Sequence, residues 1–148
     1  MKKINKITIK RQYDENPDLS YLGTFSDEPG KYAIGTSGNS DVFQWFNADN
    51  VGNMKQARQN FKRMMEFETG DVHCIGIRAE AEIVTGQENF GTLNWIKSGG
   101  LWGIDSDAGE DVMKEVEGDQ LMELMDILIE LGFTAKEIET APREVETE

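Results

Sequence analysis

The chain is poor in the residues that most often carry chemistry. It has one cysteine and one histidine in 148 residues. A lone cysteine excludes an intramolecular disulfide and fits a reducing compartment, so a cytoplasmic location is expected. Cys74 and His73 are neighbours on a strand-like run. They therefore point to opposite faces, and cannot share a zinc ion or act as a nucleophile–base pair. No G-x-S-x-G and no H-E-x-x-H occurs. No apolar run approaches the ~18 residues of a membrane span. The start, MKKINKITIK, has lysines but no apolar core of a signal peptide.

Basic residues are also few. Lys and Arg number 15 against 28 Asp and Glu, a net charge of −13. Residues 1–100 hold 13 acids and 12 bases, whereas 101–148 hold 15 acids and only Lys114, Lys136 and Arg143. Direct nucleic-acid binding by counterion release needs clustered bases and is not expected. An acidic face that meets a basic partner is permitted. The charge run also has a plain reading, a solvated helix face followed by a charged tail.

The residues that are present speak mostly of architecture. Lys6–Arg11 alternates Ile7 and Ile9 with polar residues and reads as a strand. The adjoining stretch holds Pro17, Gly23, Pro29 and Gly30 and reads as an irregular loop pinned by Leu19, Tyr21, Leu22 and Phe25. Ile34–Asp41 is rich in Gly and Ser and reads as mobile, and Val42–Phe46 reads as a short strand. Asn50–Asp71 reads as a helix capped by Asn50 or Asn53 and stopped by Gly70, with Lys55, Arg58, Lys62 and Arg63 outward. Val72–Val84 is the clearest strand. His73, Ile75, Ile77, Ala79, Ala81 and Ile83 form an apolar side, and Arg78, Glu80 and Glu82 a wet one with weak ion pairs. Thr85–Gly91 reads as a hairpin loop and Thr92–Ser98 as the returning strand. Gly99–Gly100 reads as a bend, and Gly103 as room for a neighbouring ring. Leu101–Asp105 reads as a strand, with Asp105, Ser106 and Asp107 as candidate N-caps of the next helix. A short helix, Glu110–Gly118, breaks at Gly118–Asp119. A main helix then presents Leu121, Leu124, Met125, Leu128, Ile129 and Leu131 to the core and stops at Gly132–Phe133.

Candidate chemistry fails on spacing. Ser98–Gly103 supplies glycines but no lysine after them, and aspartates at the helix start would repel phosphate. A calcium loop beginning at Asp105 needs glycine at 110 and a bidentate glutamate at 116, which are Glu110 and Val116. Glu80 and Glu82, about 7 Å apart by strand rise, are a possible hydrolase pair, although alternating acids on a wet strand are also plain surface. No cofactor or metal is expected, and no catalytic residue is assigned.

The segments DLSYLGTFSDEPG, HCIGIRAEAEIV and SGGLWGIDSD…LGF resemble small acidic proteins encoded by phages and other mobile elements, over about Asp18–Phe133. The resemblance implies a mobile-element origin and supplies no active site. Members of this class are often inhibitors of host defence, DNA mimics among them.

The expected fold is α+β, a mainly antiparallel sheet of about five strands (Lys6–Arg11, Val42–Phe46, Val72–Val84, Thr92–Ser98, Leu101–Asp105) with two helices packed on one face. Residues 1–133 are expected as one domain and 134–148 as a frayed or disordered acidic tail. The leading function is non-enzymatic inhibition, in the host cytoplasm, of a basic host protein such as a nuclease or nucleic-acid-binding defence protein. Its docking surface would be Asp105, Asp107, Glu110, Asp111, Glu115, Glu117 and Asp119. Alternatives are a nucleotide or signal sequestering protein with a pocket of Trp45, Arg78, Trp95 and Trp102, and a phage structural or accessory protein.

Overall fold

The computed structural model describes residues 2–36, 43–86 and 91–147. In chain order the elements are β1 (Lys2–Tyr13), β2 (Gly23–Ser26), β3 (Ala33–Gly35), β4 (Trp45–Ala48), α1 (Met54–Thr69), β5 (Cys74–Thr85), β6 (Thr92–Lys97), β7 (Leu101–Asp105), α2 (Glu110–Glu130), α3 (Ala135–Thr140) and β8 (Arg143–Thr147). They form two compact units, one of β1 with everything from β5 onward, the other the segment Asn16–His73.

The larger unit is α+β. Its five-stranded sheet runs β6-β5-β1-β8, with β7 also paired to β5. The pairings are antiparallel except β1–β8, which is parallel. Period-2 alternation builds its core face: Ile7 and Ile9 of β1 and Ile77, Ala79, Ala81 and Ile83 of β5 are all buried. Helix α2 lies across β5 and meets that face with Met113, Val116, Gln120, Leu124 and Leu128. Their spacing of three and four residues gives one helical stripe. Each fully buried Leu or Ile contributes about 1.5–3 kcal/mol. The helix ends as the sequence indicates. Gly132 takes φ 100°, its N–H donates to Ile129, and the Phe133 N–H donates to Leu128 at 3.1 Å, which satisfies orphan carbonyls.

Several expectations are corrected by the fold. The main sheet does not contain Val42–Phe46; the strand at that place is β4, and it belongs to the small sheet, while Val42 lies outside the described residues. The fifth main strand is β8, from the expected tail. Thr134 caps α3 in a reciprocal box with Glu137, Ile138 is fully buried, and β8 pairs with β1. Glu110–Glu130 is one helix with no break at Gly118, its N-cap is Gly109 rather than Asp105, Ser106 or Asp107, and Ile129 and Leu131 are exposed. His73 precedes β5 and is half-buried. Gly103 faces open space, and the glycine that admits a ring is Gly76. A Cβ there would lie 2.1 Å from the Trp102 ring.

The smaller unit is a three-stranded sheet, β2-β4-β3, covered by α1. Phe46 is its fully buried centre, with the Phe25 and Phe61 rings 5.3 and 5.4 Å away. Asn53 caps α1 by accepting from the Gln56 N–H at 2.9 Å, and Gly70 ends it in the left-handed conformation. Of Ile34–Asp41, expected as mobile, Ile34 and Gly35 belong to β3 and Thr36 is buried; residues 37–41 lie outside the described residues, as do 87–90 of the expected hairpin loop. Among the described residues no helix is long and apolar enough to cross a membrane.

Candidate functional site

The seven acids expected to form one docking surface separate into four groups. Asp105 ends β7 opposite Cys74, half-buried, with its Oδ1 4.0 Å from the buried thiol. Glu110 and Glu117 both hold Arg11 of β1: Arg11 Nε donates to Glu117 at 2.7 Å, and Nη2 donates to Glu110. Hydrogen bonds to Glu110 and then Glu117 raise the Arg11 pKa further, and the same contact lowers that of Glu110. These two carboxylates tie α2 to the sheet. Asp107 is exposed in the turn before α2.

Asp111, Glu115 and Asp119 remain, and the structure adds Asp126 and Glu130. All five are exposed on α2, and at 100° per residue they fall within an arc of about 100°. None forms an ion pair among the described residues. Exposed Met122, 66% accessible, and Ile129 lie in the same stripe. The spacing that unites these acids, four and seven residues, is legible in the sequence once the helix is known to be continuous. Neighbouring Glu123 is engaged, because its Oε1 accepts from the Gly99 N–H at 2.9 Å.

Behind the stripe lies a buried polar node. The Gln120 side chain accepts from Ser98 Oγ at 2.7 Å and from the Gly100 N–H at 2.9 Å, and Ser98 Oγ in turn accepts from the Ala79 N–H. Gly100 sits at φ 83°, so the double glycine makes the bend that brings its amide to α2. The glycine-rich segment is a structural bend: the Gly99 and Gly100 amides donate to α2, and the Gly103 amide donates to Asp14.

The sheet face away from α2 carries the other charged group. Glu80 is only 4% exposed, which corrects the wet-strand expectation. Lys10 Nζ lies 3.0 Å from its Oε2, and Arg78 Nη2 and Lys97 Nζ lie 2.9 and 3.5 Å from its Oε1. Burial pushes the Glu80 pKa up, but the Lys10 hydrogen bond and the three cations outweigh it and hold the pKa below the usual carboxylate value. A carboxylate held ionised suits an anchor better than a general acid. The ion ladder continues outward, with Lys10 3.6 Å from Glu146 and Lys6 3.1 Å from Glu144, both on β8. The Glu144 hydrogen bond raises the Lys6 pKa. Two of the C-terminal acids are therefore compensated by β1.

Within the larger unit, Trp95 and Trp102 of the alternative pocket stand apart. Trp45 belongs to β4 of the smaller unit. Trp95 pairs with Glu82, whereas Trp102 packs over Gly76. Six residues of strand separate those positions, about 20 Å, so the two indoles cannot line one small cavity with Arg78. Among the described residues, no three His, Cys, Asp or Glu side chains gather as a metal site. Family models, curated proteins and solved structures contain no match to this chain.

Proposed function

We propose that the protein is a non-enzymatic interaction protein that docks a basic partner on the outer face of α2. The observation that carries this reading is the stripe of Asp111, Glu115, Asp119, Asp126 and Glu130, which forms no ion pair among the described residues and is set around exposed Met122 and Ile129. Acids steer encounter with a basic surface, and apolar side chains within the patch supply contact area. In keeping with the resemblance to mobile-element proteins, the partner is a host protein that handles nucleic acid, met in the host cytoplasm.

Magnitude refines the mimic idea. From Asp111 to Glu130 the helix rises about 28 Å. Duplex DNA of that length carries about 17 charges, against five on the stripe. The stripe favours contact with discrete lysines and arginines of a partner over wholesale replacement of a duplex.

The test is a pull-down of tagged protein from host lysate at low and high salt, read by mass spectrometry. The reading expects a basic protein that is retained at low salt, released at high salt, and lost with D111N/E115Q/D119N. Capture that is indifferent to both salt and the triple substitution would overturn it.

A further inference from the structure

The open sheet face holds one carboxylate that the ion ladder leaves out. Glu82 Oε2 accepts from Asn5 Nδ2 at 2.6 Å, which fixes the group, and Glu82 forms no ion pair among the described residues. Its cross-strand partners are Lys6 on β1 and, on β6, Trp95, 52% exposed. Glu82 and Trp95 line a recess of about 200 Å³ together with Lys6, Thr8, Lys10, Glu80 and Glu146. The lysines there are already matched, Lys6 by Glu144 and Lys10 by Glu80 and Glu146. What remains is an anchored carboxylate, opposite Lys6 in register but without an ion pair among the described residues, and beside it an aromatic face.

We propose that this recess binds one arginine side chain of a partner polypeptide, with the guanidinium stacked on Trp95 and donating to Glu82. A guanidinium is planar, permanently charged and weakly hydrated. It stacks on aromatic rings and pairs with carboxylates in the same pose, which an ammonium does less well. A free anion is disfavoured by Glu82, the recess carboxylate without an ion pair among the described residues. The volume is below the ~300 Å³ at which drug-sized pockets begin, so a single side chain fits and a whole nucleotide does not. The site lies on the sheet and does not rest on the α2 stripe.

The test is a titration of N-acetyl-arginine amide at low salt, followed by the Trp95 indole N–H resonance, which Trp95→Phe assigns among the three tryptophans. One side chain without further contacts should bind with a Kd of about millimolar order. N-acetyl-citrulline amide, of the same shape without charge, should leave the resonance in place, and the lysine analogue should bind more weakly. Glu82→Gln and Trp95→Leu, the latter followed through the Glu82 backbone amide, should each weaken arginine binding at least about tenfold. No saturable shift in the wild-type protein, an equal response to citrulline, or unchanged affinity in Glu82→Gln would overturn the proposal. Retention of the α2-dependent partner in Glu82→Gln would leave the proposed function standing, so the two can fail separately.

Discussion

The acids of β8 and those on the outer face of α2 belong to the same charge-rich third of the chain, yet they have different fates. Glu144 and Glu146 face Lys6 and Lys10 across a parallel strand pair and are compensated. Asp111, Glu115 and Asp119 are exposed and form no ion pair among the described residues. Charge excess in a sequence therefore does not measure charge available to a partner. The position of the bases decides. Strand β1 carries Lys2, Lys3, Lys6, Lys10 and Arg11 and no acid, so it collects carboxylates from β5, α2 and β8. Asp111, Glu115 and Asp119, which β1 does not reach, stay exposed.

Three substitutions sharpen this contrast. Ile138→Ala should have the largest effect, about 2–5 kcal/mol in urea unfolding, because it opens a cavity where α3 anchors β8 to the core. A cost below ~1 kcal/mol would mean that the C-terminal segment is not part of the cooperative fold, and the β8 half of the contrast would fail. Glu80→Gln should cost about 1–3 kcal/mol at neutral pH, since it leaves Lys10, Arg78 and Lys97 around an uncharged group. The folded-state pKa of Glu80 lies below its ordinary value of 4.5. Its stabilisation is therefore fully present above that value and is lost as pH falls through the folded pKa. The gap between wild type and Glu80→Gln should close in acid; a gap that persists at the lowest pH would contradict this assignment. Asp111→Asn should have the smallest effect, within about 0.5 kcal/mol, as it has no ion pair to lose. A larger cost would show that the stripe is structural.

Much of the fold was legible. The alternation of β5, the Asn53 cap and Gly70 stop of α1, and the Gly132–Phe133 stop of α2 are local signals, and the chain obeys them. The capping box Thr134-Ala-Lys-Glu137 was equally local, and it marks the start of α3. The features that escape local reading are long-range. Arg143–Thr147 reads as a charged tail because its partners, the β1 lysines, lie at the far end of the chain. Gly118–Asp119 reads as a break. A helical glycine costs only about 1 kcal/mol, and core residues Met113 and Val116 before it and Gln120 and Leu124 after it hold both halves in line. Glu80 reads as wet because alternating charge marks an exposed face, and only the convergence of three cations from three strands buries it. For the candidate site, Asp111, Glu115 and Asp119 were legible as acids on a helix. The engagement of Glu110 and Glu117 with Arg11 was a tertiary fact.

The most direct test removes the same charge from each place. D111N/E115Q on α2 and E144Q/E146Q on β8 each remove two negative charges. Affinity for the partner captured by the wild-type protein would be measured for both by calorimetry, beside the urea midpoint. The account predicts that the α2 pair weakens binding by about tenfold or more with an unchanged midpoint, and that the β8 pair lowers the midpoint slightly with affinity intact. Equal losses of affinity from the two pairs would mean that only net charge matters, and would contradict a docking surface on α2.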